Sequence, residues 1–500
     1  MSRGRIALAA AVPCAVAVIA CGGGGRRADA AREAAPHTIA RVASSTPSSR
    51  IDCRPRLRRF RTLPQLKPTA FCLVARSGAR LTADLLLVTP RPDPRVNRSE
   101  QFGPMIISND GKLLWYERRP DKVHDLKVVQ VDGRPALAFW QRGKGGAYQL
   151  LDEHYRPIGR IRAGHGHATN LHELVVTPGG DAWVSSDVKR RGIIEYVVQR
   201  VDLATGKVRF EWRSLDHVKP SDSYERRPRG GNPWDYFHGN AIAPPTAADP
   251  TVVISSRNTS SLYGVDPATG RTKWILGGKR DQFHLPEGWR FCAQHDAHRL
   301  PDGELMLFDN GGTYMHGTRR CGLHAARAMR FRLDTAKRRV RLLSSTSSRA
   351  ISPHREGYFP GWVGSARLAS NGDLLVDWGP NRRVTEIGRD GRVDLLLKLQ
   401  RWSYRAFPAQ WTGQPTGAPK IAAHRRRGLV DVWASWNGAT QISRWRIVAG
   451  GQPAATVPFA DLETKATVRT NASQVAVEAL DAAGNVLGRS ALTNVGAPRH

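Results

Sequence analysis

Two stretches of the chain repeat one another: Val201–Lys207 has the sequence VDLATGK and Val265–Arg271 has the sequence VDPATGR. A strand-like run with an aromatic residue follows each copy. A glycine turn between β-rich runs is typical of a hairpin between antiparallel strands. Recurrence of such a turn at about sixty residues indicates a structural unit that is used repeatedly along the chain.

A second unit, a glycine turn followed by an apolar strand, recurs in the same region. It occurs as TPGGDAWV in Thr177–Val184, as PDGELML in Pro301–Leu307 and as SNGDLLV in Ser370–Val376. Short strands joined by tight turns predict an all-β fold, and the repeats favour a β-propeller over an array of β-sandwiches. We expect a β-propeller of five or six blades over residues 56–415.

The pattern changes after residue 415. Alternating apolar and polar runs flank two further turns, one at Asn437-Gly438 and one at Ala482–Asn485. Each turn predicts a hairpin. Residues 416–500 are therefore predicted to form a small C-terminal β-sandwich.

The first 21 residues have the features of an export signal. Arg3 and Arg5 precede an apolar run that is too short for a stable membrane span, and the run ends at Cys21 before four glycines. This resembles a bacterial lipoprotein signal, in which Cys21 is lipidated and becomes the mature N-terminus. An ordinary cleaved signal and a membrane anchor are the alternatives. Residues 22–55 are predicted to be a flexible tether. The body of the chain is thus expected at the extracytoplasmic face of the membrane, held there by a lipid anchor.

The cysteines support an exported protein with disulfides. Removal of Cys14 and lipidation of Cys21 leave four cysteines, for which three pairings are possible. Proximity along the chain favours two disulfides, Cys53–Cys72 and Cys292–Cys321.

Charge places few limits on function. The formal net charge is +33, and the arginines are spread through every region. The charge reflects a general composition bias or a field that attracts anionic ligands. No nucleic acid partner is predicted, because the chain carries no helix-turn-helix, zinc-finger or RNA-binding motif.

Three histidines mark the ends of strand-like runs: His172, His238 and His295. The loops of successive propeller blades converge on a central channel, so these residues are able to meet there. Imidazole can act as nucleophile, acid or base near neutral pH, and Arg257 and Asn240 are further donors for an oxyanion. The alternative is that each histidine only satisfies local hydrogen bonds.

A metal site is the other alternative for the histidines. His165 and His167 lie two apart and share one face of a strand, and His295 and His298 lie close together in sequence. No acidic residue accompanies either pair in a recognised metal-binding pattern. We therefore predict no metal and no cofactor.

Six motifs occur in order between Asp235 and Gly311: DYFHGN, SSR, VDPATG, WILGG, QHDA and FDNG. Together they resemble the arylsulfotransferase (arylsulfate sulfotransferase) family, in particular the branch common in actinobacterial genomes. The likeness extends over residues 60–415.

The resemblance implies a six-bladed β-propeller and an aryl sulfotransferase activity. The enzyme would move a sulfuryl group from a phenolic sulfate ester to a phenol without the nucleotide donor PAPS. The nucleophilic histidine of the family falls on His295, which implies a sulfohistidine intermediate. Asp296 follows it, where the better-studied enterobacterial type has a threonine. A carboxylate at this position is able to orient His295 or raise its pKa, and it would also repel an anionic donor.

The other family motifs imply further roles. They place catalytic residues at His238, Arg257 and His172, with His167 as the competitor for the third histidine position. Contacts with the substrate are expected from Asn240, Arg257 and Tyr236. The partners are then an aryl sulfate donor and a phenolic acceptor. Two other functions stay open, a non-catalytic cell-envelope propeller that binds an anionic ligand and a sulfate-ester hydrolase.

Overall fold

Antiparallel β-strands make up nearly all of the regular secondary structure in the computed structural model. The structure describes residues 51–91, 100–312, 314–315, 318–319, 321–322, 324–352 and 357–496. The signal peptide with Cys21 and residues 22–50 of the predicted tether lie outside the described residues. No helix within the described ranges is long and apolar enough to cross a membrane.

Short strands follow one another along the chain. The first twelve are β1 (Phe71–Ala75), β2 (Leu85–Val88), β3 (Met105–Ile107), β4 (Leu113–Tyr116), β5 (Val123–Val131), β6 (Arg134–Gln141), β7 (Ala147–Leu151), β8 (Pro157–Ile161), β9 (Leu174–Val176), β10 (Asp181–Arg190), β11 (Ile193–Asp202) and β12 (Val208–Arg213). The next fifteen are β13 (Gly239–Ala243), β14 (Val252–Ser256), β15 (Ser261–Val265), β16 (Thr272–Gly277), β17 (His295–Arg299), β18 (Leu305–Asp309), β19 (Tyr314–Met315), β20 (Thr318–Arg319), β21 (Arg327–Asp334), β22 (Arg339–Ser347), β23 (Ser365–Leu368), β24 (Leu374–Asp377), β25 (Arg383–Ile387), β26 (Val393–Leu399) and β27 (Ala406–Ala409).

The C-terminal strands are β28 (Lys420–Arg426), β29 (Leu429–Ser435), β30 (Arg444–Ala449), β31 (Gln452–Pro458), β32 (Glu463–Arg469), β33 (Gln474–Leu480), β34 (Val486–Arg489) and β35 (Thr493–Asn494). Helical segments are short: α1 (Ser214–His217) and 3-10 turns at Pro220–Asp222, Gly278–Arg280, Glu287–Trp289, Ser348–Ala350 and Gly379–Asn381.

The strands up to β27 form sheets in chain order, and each sheet is antiparallel. Sheet 1 is β27-β2-β3-β4, sheet 2 is β5-β6-β7-β8, sheet 3 is β9-β10-β11-β12, sheet 4 is β13-β14-β15-β16, sheet 5 is β17-β18-β21-β22, and sheet 6 is β23-β24-β25-β26-β1. The small pair β19-β20 lies between β18 and β21 in sequence.

The first strands of neighbouring sheets contact one another around a ring, from β27 through β5, β9, β13, β17 and β23 back to β27. The ring closes because β27, late in the chain, pairs with β2, with Leu85 opposite Ala409. A closed ring of four-stranded antiparallel sheets is the architecture of a β-propeller. The predicted all-β fold class is confirmed.

The sequence repeats occupy equivalent positions. The two VDxATG copies form the turns between the third and fourth strands of sheets 3 and 4, where Gly206 N–H donates to the Asp202 carbonyl and Gly270 N–H to the Asp266 carbonyl, both at 2.8 Å. Both glycines have a positive φ. The other repeated unit joins the first and second strands of sheets 3, 5 and 6.

The C-terminal strands form two antiparallel sheets, β28-β29-β32 and β31-β30-β33-β34, with β35 paired to β33. Their apolar faces share one hydrophobic core with sheets 1 and 2, in which Trp115 and Phe139 join Val430 and Trp445. The predicted hairpin at Ala482–Asn485 is present between β33 and β34. The division of the chain at residues 55 and 415 stays a proposal.

The hairpin predicted at Asn437-Gly438 is wrong, because the strands on either side belong to different sheets. Asn437 instead joins the C-terminal sheets to sheet 1. Its side chain accepts from Tyr116 N–H at 3.0 Å and donates to the Tyr116 carbonyl at 2.9 Å. Asn-Gly forms a contact between sheets here instead of a hairpin turn. The local sequence pattern is the same in both cases and cannot distinguish them.

Both disulfides are present as predicted. Cys53–Cys72 ties the start of the described chain to β1, and Cys292–Cys321 lies beside the beginning of β17.

Gly264 in β15 lies opposite Trp274 in β16, and a Cβ at this glycine would overlap the buried indole ring. Gly264→Ala should therefore cost about 1–3 kcal/mol of unfolding free energy through overpacking. Gly179→Ala is the matched control, because a Cβ there meets nothing. Thermal unfolding followed by circular dichroism measures both, and equal melting temperatures would contradict the prediction.

Candidate active site

The three predicted histidines lie where the first strands of three neighbouring sheets begin. His172 lies two residues before β9, His238 immediately precedes β13, and His295 is the first residue of β17. First strands line the centre of the ring, so their starts meet at one end of it. The side chains therefore belong to one cluster although they are distant in sequence.

His172 and His238 are in direct contact, with ring centroids 5.1 Å apart in an edge-on arrangement. Burial holds the pKa of His172 well below its usual range, and the neighbouring His238 and His295 lower that pKa further. All three imidazoles are therefore close enough to influence one another.

His295 is buried and its hydrogen bonds define its tautomer. Val363 N–H donates to Nε2 at 3.2 Å, so Nε2 carries the lone pair. Nδ1–H then donates to Asn310 Oδ1 at 2.7 Å. Burial, followed by the charge of Arg257, lowers the pKa of His295 to about 3. The ring is neutral at physiological pH, with its lone pair at Nε2.

Arg257 follows β14 and its side chain is buried beside His295. Nη2 donates to the Gly361 carbonyl at 2.8 Å and Nη1 donates to Asn258 Oδ1 at 3.0 Å. Burial lowers the pKa of Arg257 to about 10, and Asp235 opposes that shift. The guanidinium is still charged at neutral pH and presents a buried cation to the cluster.

Asp235 orients His238, a role that the sequence alone did not reveal. The His238 Nδ1–H donates to the Asp235 carboxylate. Burial of Asp235 would raise its pKa, but His238 and then Arg257 bring the pKa below its usual value. The carboxylate is therefore ionised and holds the His238 ring in a fixed orientation. The signal was present in the DYFHGN motif, three residues before the histidine.

His172 is oriented differently, by a neutral amide. Its backbone N–H and its Nδ1–H both donate to Asn170 Oδ1, the first at 2.8 Å. The Asn170 amide donates in turn to Asp187. Burial, and then Asp235, raise the pKa of Asp187 to about 6.

Two other predicted residues make hydrogen bonds to backbone carbonyls. Asn240 Nδ2 donates to the Gln294 carbonyl at 2.7 Å, so Asn240 holds the segment that leads into His295. Tyr236 is fully buried in an aromatic cluster, and its hydroxyl donates to the Val218 carbonyl at 3.3 Å. Its position gives no support to a contact with substrate.

The competitor for the third histidine position lies elsewhere. Arg213 donates to His167 Nε2 at 3.2 Å, and the adjacent His165 pairs with Glu211 at 2.6 Å. His172, not His167, adjoins His238. Across the described ranges, no group of three or more His, Cys, Asp or Glu side chains is arranged to hold a metal ion.

A buried ionic network lies next to the histidines, centred on Arg405. The Arg405 guanidinium is 3.2 Å from Asp125, 3.0 Å from Glu173 and 3.1 Å from Asp296. Lys127 lies 2.8 Å from both Asp125 and Glu173.

Asp296 also accepts two hydrogen bonds from Arg367, one of them at 2.9 Å. Although burial opposes it, the charges of Arg367 and Arg405 lower the pKa of Asp296. Asp296 thus belongs to the ionic network and does not orient His295.

The network joins all six sheets of the ring. Asp125 and Lys127 lie in β5, Asp296 in β17 and Arg367 in β23, while Glu173 and Arg405 immediately precede β9 and β27. The remaining first strand, β13, is included because Arg405 Nη2 donates to the Asn240 carbonyl at 2.8 Å. This network was not predicted, since its members are scattered singly through the sequence.

The loop before β17 is also fixed by a covalent bond. Cys292, three residues before His295, is bonded to Cys321, and Cys292 N–H donates to Asp309 at 2.9 Å.

Comparison with known proteins assigns the family. The arylsulfotransferase (ASST) family model matches residues 127–399, which is more than half of the chain and includes all three histidines. The chain belongs to the arylsulfotransferase family.

No curated protein matches the sequence. Solved structures with a similar strand arrangement include a protein of unknown function from Bacteroides caccae, with 13% identity, coverage of 66% of this chain and 100% of that chain, and a TM-score of 0.41. A virginiamycin B lyase from Staphylococcus aureus has 11% identity, coverage of 74% and 97%, and a TM-score of 0.34. The Cps50 (Swd1) β-propeller domain of Myceliophteria thermophila has 11% identity, coverage of 73% and 97%, and a TM-score of 0.34. At such low scores these likenesses add nothing to the assignment.

Removal of the Arg405 charge should destabilise the whole ring. Arg405→Gln leaves the buried carboxylates of Asp125, Glu173 and Asp296 undercompensated, and breaking a buried ion pair from one side costs about 3–5 kcal/mol. Arg209→Gln, which removes an exposed partner of Asp202, is the control and should leave the unfolding curve almost unchanged. Urea denaturation measures both variants, and similar midpoints would contradict the proposed role of the network.

Proposed function

We propose that the protein is an exported, PAPS-independent aryl sulfotransferase that moves a sulfuryl group from a phenolic sulfate ester to a phenol through sulfohistidine at His295. The observation that carries the proposal is the grouping of His172, His238 and His295 with the buried Arg257 at the starts of neighbouring first strands. Together they offer a neutral nucleophile, a second ring for proton transfer and a cation for the sulfuryl oxygens.

His295 is suited to nucleophilic attack. Its low pKa leaves the Nε2 lone pair unprotonated at physiological pH, while Asn310 holds the opposite nitrogen. In the first step the N–S bond forms and the bond between sulfur and the aryl oxygen breaks, so the phenolate leaves. In the second step the acceptor oxygen attacks sulfur and the N–S bond breaks, which restores His295.

His238 is the proposed acid and base. Its Nδ1–H is held by the Asp235 carboxylate, which leaves Nε2 to carry the transferred proton. The imidazolium gives that proton to the departing phenolate oxygen, and the neutral ring then takes a proton from the acceptor phenol. His172 is less suited, because its partner is a neutral amide and its pKa is held low. We assign His172 to contact with the sulfuryl group.

Arg257 is proposed to stabilise the transferred group. Sulfuryl transfer resembles phosphoryl transfer, in which negative charge stays on the peripheral oxygens of a loose transition state. A fixed, buried guanidinium lowers the energy of that charge without reorganising during the reaction. Asp296 does not repel the donor under this proposal, since Arg367 and Arg405 neutralise it.

Val363 has a place in the same cycle. Its N–H donates to His295 Nε2, which is the nitrogen that attacks sulfur. This hydrogen bond therefore breaks when the N–S bond forms. The released N–H is then available to a sulfuryl oxygen. Asn310 donates to the Pro360 and Val363 carbonyls, so the segment over His295 is held by the residue that also orients the ring.

Export and the lipid anchor at Cys21 remain part of the proposal. The two disulfides are consistent with an extracytoplasmic protein, because disulfides persist in oxidising compartments.

The nucleophile is tested with His295→Ala. We expect sulfuryl transfer from para-nitrophenyl sulfate to phenol to fall by about 10⁴-fold or more, because covalent catalysis is lost. In the wild-type protein, donor without acceptor should add the mass of one sulfuryl group to the peptide that contains His295. His217→Gln, on the exposed helix α1, is the control and should behave as wild type.

Two other outcomes separate the alternatives. Release of sulfate at the same rate with and without phenol would indicate a hydrolase. Binding of the donor without any turnover would indicate a non-catalytic propeller.

The acid role is tested with His238→Ala and Asp235→Asn. We expect both variants to lose about 10²–10⁴-fold in turnover with phenyl sulfate, whose leaving phenolate needs a proton. The loss should be smaller with para-nitrophenyl sulfate, whose leaving group is more stable as an anion. Equal losses with the two donors would assign these residues to binding instead of proton transfer.

A further inference from the structure

An aromatic surface extends outward from the histidine cluster. Tyr404 packs edge-on against His172 with ring centroids 5.5 Å apart, and against His124 at 6.1 Å. His124 in turn stacks on Trp402 at 6.1 Å. The rings form a continuous path from the active site to Trp402.

Trp362 completes this aromatic surface. Its ring meets Trp402 edge-on at 4.6 Å, and 39% of Trp362 is exposed to solvent. Trp362 is the residue before Val363, whose N–H donates to His295 Nε2 at 3.2 Å. An exposed indole in the segment that contacts the histidine cluster provides a stacking site for an aromatic ring.

Three cations border the same surface, and we call them the rim cations: Arg91, Lys122 and Arg142. The Arg91 guanidinium carbon lies 5.3 Å from the Trp402 ring centroid, and Arg91 N–H donates to the Trp402 carbonyl at 2.9 Å. Arg142 N–H donates to the Lys122 carbonyl at 2.9 Å.

The rim cations are close enough to repel one another. Partial burial, followed by the charges of Arg91 and Arg142, lowers the pKa of Lys122. Burial lowers the pKa of His124 to about 3, with Arg91 and Lys122 as the next causes. The carboxylate of Asp121 accepts from the N–H groups of Lys122 and Gly143. Within the described residues, no ion pair with a carboxylate is formed by any rim cation.

We propose that the phenolic acceptor carries an acidic group, a carboxylate or a phosphate. Its ring lies against Trp362 and Trp402, and its acidic group is bound by Arg91, Lys122 and Arg142. Cations that form no carboxylate ion pair among the described residues, next to a stacking surface, are complementary to such a molecule, since charge-assisted hydrogen bonds to an anion are the strong ones. This inference rests on the proposed sulfotransferase function and names the substrate class for it.

Another use of the rim cations is to attract the sulfate of the donor, which is also an anion. The two uses differ in which substrate responds when the rim charge is removed. An anionic acceptor and a neutral acceptor of similar size therefore need to be compared with one donor.

The experiment measures transfer from para-nitrophenyl sulfate to para-hydroxyphenylacetate and to para-hydroxyphenyl ethanol, which lacks the charge. We expect kcat/KM for the anionic acceptor to exceed that for the neutral one by about 10–10²-fold in the wild-type protein. In the double variant with Lys122→Gln and Arg142→Gln the ratio should fall to about 1. Arg160→Gln is the control, because Arg160 lies on the exposed strand β8 of sheet 2. This variant should keep the wild-type ratio.

Two results would overturn the inference. One is equal kcat/KM for both acceptors in the wild-type protein. The other is a double variant that raises KM for the donor equally with either acceptor, which would assign the rim cations to the donor sulfate.

Failure of the sulfotransferase function itself gives a different result, since no para-nitrophenol is released with any acceptor. Quenching of tryptophan fluorescence then still tests the site. Para-hydroxyphenylacetate should quench at lower concentration than the neutral alcohol, and Lys122→Gln with Arg142→Gln should remove that difference.

Discussion

The pairing of one buried guanidinium with carboxylates from several sheets determines the arrangement of the candidate active site. Arg405 contacts Asp125, Glu173 and Asp296 and also the backbone carbonyl of Asn240. These partners belong to different first strands, so the network sets where each strand begins relative to the others. Buried charges are tolerated only when they are paired in good geometry. This requirement fixes the positions of the first strands relative to one another.

The histidines take their separate chemical characters from that arrangement. Each ring begins a different first strand, but each has a different partner: a carboxylate for His238, a side-chain amide for His172, and an amide with a backbone N–H for His295. A carboxylate favours the charged imidazole, whereas burial beside Arg257 favours the neutral one. Chemically identical side chains therefore acquire distinct hydrogen-bonding environments.

Much of the fold was predictable because it depends on local patterns. Glycine turns and alternating strands repeat with the sheets, and the VDxATG copies mark equivalent turns. The hairpin prediction at Asn437-Gly438 was wrong because the same two residues suit either a hairpin or a contact between sheets. In the site, motif resemblance placed His172, His238 and His295, whereas Tyr236 is buried and Asn240 holds backbone. The pairing of Arg405 with its carboxylates and the role of Asn310 were not predicted, because pairing across sheets leaves no spacing signal in one sequence.

Closure of the ring by the pairing of β27 with β2 has a consequence for how the newly synthesised chain folds. Leu85–Val88 must wait for Ala406–Ala409 before sheet 1 gains its innermost strand, so nearly the whole ring is synthesised before the ends can join. Until then β2 presents an unpaired apolar edge, which is a template for association with other chains. Contacts between such distant segments also form slowly. The nascent chain thus passes through a vulnerable stage in which chaperone protection matters most.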